Sequence, residues 1–292
     1  MVSSGPSFYT VRTAIEIALK TLTVATLPFA ERLDWLPLPH MLRFRRAKAQ
    51  LDGIIYRLIQ ERRAGGDRGD LLSLLLLAQD AEGDGTGMTD LQLRDEAMTL
   101  LLAGHETTAN ALTWTWYLVS QHPAVERELH EELDRTLGGR APSADDLPDL
   151  PYTRRVLSEA MRLYPPAWVV GRRAVIDCEV GTHTVPSGAL VFVSQWVTHR
   201  DPRFFVDPER FDPERWTQEA ASARPKFSYY PFGAGPRVCI GEQFAWMEGV
   251  LVLATLARHW RLRLVPGHPV APQAIVTLRP KFGMRMTVQR RG

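Results

Sequence analysis

The chain has 292 residues, is 45% hydrophobic and 23% charged, and carries a formal net charge of +2 at pH 7. That length can bury a sizeable core in one large domain or two small ones, and the near-neutral charge argues against nucleic acid as the main partner. Cys178 and Cys239 give neither a disulfide framework nor zinc-ligand spacing; the longest purely apolar run, Leu74 to Ala78, is far too short for a membrane span; and no secretory signal opens the chain, which reads as cytoplasmic.

Helical periodicity dominates to about residue 164, with turns expected at Leu36-Pro37-Leu38-Pro39 and around Gly83 to Gly87. Arg43, Arg45, Arg46 and Lys48 cluster on an expected helix, a pattern that ordinarily makes a solvated face. A long helix opens at Thr89 and Gln92, a capping box, and runs to the His122-Pro123 break. At about 32 residues and roughly 48 Å it would cross a whole domain. It carries Ala103-Gly-His-Glu-Thr-Thr108, in which Glu106 stands among Met98, Leu100, Leu101, Leu102 and Leu112. A carboxylate in mainly apolar surroundings points to function; the alternative is the solvated stripe of an amphipathic helix. Thr107 either presents its hydroxyl or back-bonds to the carbonyl of Ala103. His105-Glu106 begins the zinc-protease pattern, which fails because Ala109 occupies the second histidine's place.

Arg127 to Leu137 reads as a charged surface helix. The next helix, from about Tyr152 to Tyr164, is ended by Pro165-Pro166 and carries Glu159-Ala-Met-Arg162, whose i, i+3 spacing puts carboxylate and guanidinium on one face, as in a generic surface ion pair. Pro165-Pro-Ala-Trp-Val-Val-Gly-Arg172 leaves that helix, and from about 169 to 198 the pattern turns strand-like, with turns at Gly181 and Pro186-Ser-Gly188. Cys178 lies in this run and is expected to be inert core. After His199-Arg-Asp-Pro202 comes an irregular Pro- and Arg-rich meander containing Phe211-Asp-Pro-Glu-Arg-Trp216. A helix is then expected over Glu242 to Trp260, and Ile275 to Arg290 alternates like a hairpin turning at Gly283. No internal repeat, low-complexity tract, nucleophile elbow or zinc set appears, which leaves a hydrolase without support.

Phe232-Gly-Ala-Gly-Pro-Arg-Val-Cys-Ile-Gly241 sets Cys239 after a glycine-bearing turn and immediately before the helix that starts at Glu242. A thiol at a helix N-terminus meets unpaired N–H groups and the positive end of the dipole, which favour the thiolate and metal ligation. Arg237 adds a fixed cation able to hold an anionic group. A buried free cysteine beside a Gly-rich turn is the plainer reading, but the joint spacing of Phe232, Gly235, Arg237, Cys239 and Gly241 resembles the haem-binding signature of the cytochrome P450 superfamily, the haem-thiolate monooxygenases.

The resemblance covers nearly the whole chain and implies a mainly α fold with small β-sheets, as one partial domain over 1–292: mostly helical to 164, strand and meander over 165–232, the cysteine loop and its helix over 232–260, and a C-terminal hairpin over 261–292. It implies haem b (iron protoporphyrin IX) with Cys239 as axial ligand, whose electron push favours O–O cleavage. Phe232 resembles the shield of the sulfur, while Gly235 and Gly241 allow close approach of the backbone. Arg237 and Arg172 resemble the partners of a propionate, Arg172 preferred to Arg173 by spacing. Ala103 and Gly104 would let an oxygen-binding groove form, and Glu106 and Thr107 would deliver protons. Glu159, Arg162 and Arg215 would form a buried structural network. Ala167, Trp168, Val169 and Val170, with Ala274, Ile275 and Val276, would line the substrate pocket, ordinary core packing being the alternative.

The implied reaction inserts one oxygen atom from O₂ into a small apolar organic substrate. Electrons would come from a separate ferredoxin, flavodoxin or reductase, so that NAD(P)H acts only indirectly. Relative to the family, residues 1 to 35 resemble the middle of a longer protein. The resemblance then places upstream an N-terminal sheet, a helix holding the other propionate and a loop roofing the pocket, and implies weak haem retention by the chain alone. The alternative reading is a non-catalytic remnant with weak or no haem binding.

Overall fold

The computed structural model describes residues 13–15, 17, 39–78 and 85–291. The turn expected at Leu36-Pro37-Leu38, the start of the Gly83–Gly87 turn and nearly all of residues 1 to 35 lie outside them. The chain divides into two compact units, Met1–His105 and Glu106–Gly292.

The first unit holds α1 (Pro39–Gly65), α2 (Leu71–Leu77) and the beginning of α3 (Asp90–Gln121). Asp70 starts α2 by accepting from the Ser73 N–H at 2.9 Å, and Thr89 and Gln92 form the expected reciprocal box, Thr89 N–H to Gln92 Oε1 at 2.9 Å and Gln92 N–H to Thr89 Oγ1 at 3.3 Å. The apolar face of α1, including Ala47, Leu51, Ile55 and Ile59, is buried against residues such as Leu93 and Met98. Arg43, Arg45, Arg46 and Lys48 stand on its exposed side, Lys48 paired with Asp52 at 2.7 Å.

In the second unit, α4 (Pro123–Leu137) corrects the expected surface helix. It starts four residues earlier than expected, with Pro123 in its first turn, and buries Leu129, Leu133 and Leu137 together with Glu126, His130 and Glu132. The buried charges are tolerated because they are bonded. Glu132 accepts from the N–H groups of Tyr152 (2.7 Å) and Thr153 (2.8 Å) and from the Thr153 hydroxyl (2.7 Å), which satisfies the orphan donors that open α5 (Pro151–Leu163). Burial would raise the Glu126 carboxyl, but the Arg263 guanidinium, bidentate at 2.7 Å, holds it below the ordinary value.

Nearly all of α5 is buried, and it packs with α8 (Glu242–Ala257) in the main core. A Cβ on Gly249 would stand 2.6 Å from Leu157 Cδ2, so the leucine side chain occupies the place a larger residue's Cβ would take and would have to move to admit one. The expected extension of α8 to Trp260 is corrected: the helix ends at Ala257, and β5 (Trp260–Leu264) follows. From Trp260 onward Leu262 and Leu264 alternate with Arg261 and Arg263, a period of two that fits a strand.

The sheets are small antiparallel pairs: β1 (Val170–Arg173) with β4 (Leu190–Val193), β2 (Cys178–Val180) with β3 (His183–Val185), β5 with β8 (Met286–Arg290), and β6 (Pro272–Ala274) with β7 (Leu278–Pro280). The single hairpin expected over Ile275 to Arg290 is therefore corrected. Residues 275–277 form its turn, closed by Ile275 N–H to Thr277 C=O at 3.2 Å, while the last strand returns to β5 in the register Trp260↔Arg290 and Leu264↔Met286. Cys178 is corrected as well: it is exposed, as is the rest of β2, because an isolated two-stranded hairpin has no layer over it among the described residues. The remaining elements are α6 (Gln195–Thr198), a 3₁₀ turn at Pro213–Trp216, α7 (Gln218–Ser222) and a 3₁₀ turn at Gly235–Arg237. Mainly helical with small β-sheets is thus the observed class.

Candidate active site around Cys239

The loop before α8 is tied to itself by backbone bonds. The Gly233 N–H reaches the Tyr230 carbonyl at 3.0 Å, the Val238 N–H the Gly235 carbonyl at 3.0 Å and the Cys239 N–H the Phe232 carbonyl at 2.9 Å. Gly233 (φ 75°) and Gly235 (φ 71°) hold the left-handed conformation that this reversal demands. Phe232 meets Trp246 edge-on at 5.5 Å between centroids, and the Arg154 guanidinium lies 4.6 Å over Trp246, so the loop is anchored on its own helix. A Cβ at Gly241 would stand 3.8 Å from Cys239 Sγ, so the glycine leaves that side of the sulfur clear.

Cys239 is a free, exposed thiol, and its neighbours Val238, Ile240 (90% exposed) and Phe244 (61% exposed) are apolar side chains facing solvent. Exposed apolar surface around a free thiol suits a large apolar group. No cluster of three or more His, Cys, Asp or Glu able to hold a metal ion occurs among the described residues, so a metal at Cys239 has to bring the rest of its coordination with it.

Behind the loop, Glu159, Arg162 and Arg215 come together. Arg162 donates to both Glu159 oxygens at 2.8 Å, and Arg215 Nε approaches Glu159 Oε1 at 3.3 Å. Glu159 also accepts from the Asp212 N–H (3.0 Å) and Trp216 Nε1 (2.9 Å). Arg162 donates onward to the carbonyls of His199 (2.9 Å), Pro208 (2.6 Å) and Arg210 (3.1 Å). Both partners are fully buried, and this bonding makes a buried pair tolerable. One ion pair from α5 thus ties down the backbone at His199 and over 208–212 of the meander.

A family model described as Cytochrome P450 matches residues 3–285. The chain belongs to the cytochrome P450 family. It is 48% identical over 245 residues to cyclooctatin synthase of Streptomyces melanosporofaciens, a match covering 83% of this chain and 53% of that protein. Pentalenene oxygenase of Streptomyces avermitilis is 39% identical over 244 residues, covering 83% of this chain and 54% of that one. Among solved structures, the cytochrome P450DA heme domain superposes with a TM-score of 0.85 at 31% identity, covering 97% of this chain and 61% of that chain, and the retinoic acid bound cyanobacterial CYP120A1 with 0.87 at 30% identity, covering 96% and 63%. The chain spans about half the length of the curated relatives it matches.

P450 membership implies haem, and the residues fit it: a free thiol beside Gly241, an apolar surround and, among the described residues, no competing ligand set. The other expected site residues are distributed as follows. Arg237 is exposed on its 3₁₀ turn, and Arg172 is exposed on β1, where its Nη1 donates to its neighbour's carbonyl, that of Gly171, at 2.8 Å. Ala103 and Gly104 lie exposed on α3, with nothing within 4 Å of the place a Gly104 Cβ would take. Glu106 and Thr107 are half-buried, and Arg279 stands 3.9 Å from Glu106 Oε1 while Oε2 has no partner among the described residues.

The two expected pocket segments meet. Trp168 Nε1 donates to the Ile275 carbonyl at 2.9 Å, and the Leu278 N–H to the Pro166 carbonyl at 2.9 Å, so the segment with Ala167, Val169 and Val170 runs beside the turn that carries Ala274 and Val276. The turn at 275–277 is held in place by α3, through Asn110 to Thr277 Oγ1 and Trp114 Nε1 to the Leu278 carbonyl, each at 3.1 Å. Sequence reasoning missed Arg279, Trp216 and His199. Trp216 closes the quoted Phe211–Trp216 motif; the other two carry no local signal, since their partners lie far away in the chain. Among the described residues no helix is long and apolar enough to cross a membrane.

Proposed function

We propose that this chain forms the haem-thiolate part of a monooxygenase that inserts one atom of O₂ into an apolar, ring-containing substrate. The observation that carries the reading is the free Cys239 thiol presented by a self-bonded loop at the start of α8 among exposed apolar side chains. Bound haem b supplies the activation of dioxygen. Cys239 Sγ would hold its iron, Phe232 would shield the sulfur, Gly235 and Gly241 would permit the approach, and Arg237 and Arg172 would hold propionate charge. Ala103 and Gly104 leave room on α3 for the gas.

Glu106 and Thr107 move protons. Glu106 Oε2, without a hydrogen-bond partner among the described residues, is the oxygen left to handle a proton, and the Thr107 hydroxyl passes it on. Ala167 to Val170 and Ala274 to Val276 exclude water from the apolar substrate. The relatives' names specify an alkene and, in the cyclooctat-9-en-7-ol 5-monooxygenase of Streptomyces melanosporofaciens (45% identical over 246 residues), an alkenol, which supports a largely hydrocarbon substrate here. A separate ferredoxin, flavodoxin or reductase supplies electrons, drawn in turn from NAD(P)H.

The test is the carbon monoxide spectrum of the reduced, haem-loaded chain. The red-shifted thiolate band is expected in the wild type and lost in Cys239→Ser. A thiolate band that survives Cys239→Ser would refute the assignment and point to Cys178.

A further inference from the structure

His199, just past α6, is fully buried, and both its backbone and its ring are used. Its carbonyl accepts from Arg162 Nη1 at 2.9 Å, so the backbone belongs to the Glu159 node. Its ring Nε2 accepts from the Tyr230 N–H at 3.0 Å, and the ring lies against Tyr229 and Tyr230, with centroids at 4.9 and 5.2 Å. Tyr230 is the residue whose carbonyl starts the cysteine loop by accepting from Gly233, and its hydroxyl donates to Thr198 Oγ1 at 2.8 Å, beside His199. We infer that His199 is a positioning residue that couples the Glu159–Arg162 node to the Cys239 loop, holding the Tyr230 amide as a hydrogen-bond acceptor in the neutral Nδ1–H form.

The acceptor role fixes the tautomer, since a ring nitrogen that accepts carries no proton. The surroundings keep the ring neutral. Burial first, then the charges of Arg162 on α5 and Arg200 beside it, hold its pKa down at about 3; the groups facing it from the meander are the rings of Tyr229 and Tyr230, and burial pushes the Tyr229 phenol up. Nδ1 has no hydrogen-bond partner among the described residues, and a second proton would have to go on Nε2, where it would face the Tyr230 N–H and break that bond. From Arg162 to the His199 carbonyl, from the His199 ring to Tyr230, from Tyr230 to Gly233, and from Phe232 to the Cys239 N–H, a short run of bonds links the node to the sulfur-bearing residue.

The test compares His199→Phe, which keeps an aromatic ring without an acceptor, with His199→Gln, whose Oε1 lies as many bonds from Cα as Nε2. Amide hydrogen exchange is read on the full chain. In His199→Phe the Tyr230 amide should exchange roughly ten-fold faster, with Gly233 following and Leu133 in α4 unchanged, and His199→Gln should restore the wild-type rates. If His199→Phe fails to fold while His199→Gln folds with wild-type exchange, the acceptor role stands. Wild-type exchange at Tyr230 in His199→Phe, a His199→Gln variant that exchanges as fast as His199→Phe, or failure of both variants to fold would each overturn it. The consequence for ligation rests on the reading of Cys239 as haem ligand. With haem loaded, the thiolate-type share of the carbonmonoxy complex should fall in His199→Phe and recover in His199→Gln, and an unchanged share would overturn the coupling to the sulfur. A wild type without any thiolate band would defeat the Cys239 reading while the exchange data still judged His199.

Discussion

Two carboxylates sit on interior helices and are treated in opposite ways. Glu159 is fully buried, and both its oxygens are taken up by Arg162, with Arg215, Trp216 and the Asp212 amide completing the set. Glu106 has one distant cation, Arg279 at 3.9 Å, and an oxygen with no partner among the described residues. A carboxylate saturated with donors cannot take up a proton without breaking the structure that holds it. One left with a spare oxygen can. The contrast supports the proposed division between a structural acid at Glu159 and a proton-handling one at Glu106.

The largest effect that would sharpen this contrast is expected at the node. Glu159→Gln strands the buried Arg162 charge and should destabilise the chain by about 3–5 kcal/mol in urea unfolding. A loss under about 1 kcal/mol would mean that the meander is held by something else. Next comes pH. Burial, helped by nearby arginines, depresses the pKa of His199 to about 3 and of His130 to about 4, from 6.5. The unfolded chain therefore binds more protons in that window, so stability rises with pH up to about 6.5 and is lost progressively as pH falls below it. Each histidine contributes a slope of up to about 1.4 kcal/mol per pH unit, and His199→Gln should remove one of the two contributions between about pH 5 and 6.5. A slope unchanged in that variant would show that His199 is protonated in the fold. The smallest stability effect is expected at Glu106→Gln, within about 1 kcal/mol of wild type, because its ion pair is long and half-exposed. The same variant should slow coupled product formation while leaving haem binding intact, and undiminished coupling of electron use to product would remove Glu106 from the proton route.

The two regions also differ in how far the sequence alone revealed them. The Thr89–Gln92 box, the Glu159–Arg162 pairing and the glycine-bearing turn before the helix at Glu242 are local, and all three are present, though the ion pair is buried where its spacing alone suggested a surface pair. What escaped depends on distant partners. Alternation marks 260–264 and 286–290 as extended but carries no instruction that Trp260 should face Arg290. Cys178 was expected in the core because its strand looks apolar, yet burial depends on a covering layer that the strand's own residues do not encode. Glu132 looked like a surface charge, and only the start of α5, some twenty residues on, explains its burial. Arg279, His199 and the meeting of Trp168 with Ile275 are likewise visible only once the chain is folded.

The close approach at Gly249 has a mechanical consequence. The helix that begins just after the thiol and the helix that carries Glu159 are separated by a gap set by one absent methyl group, with Leu157 filling the space. Gly249 is thus a spacer of zero thickness, and α8 rests on α5 as a lever rests on a fulcrum. A methyl placed there must first turn the Leu157 side chain aside, so the seating of α8, with the Cys239 loop at one end and β5 at the other, depends on the room left for that one leucine.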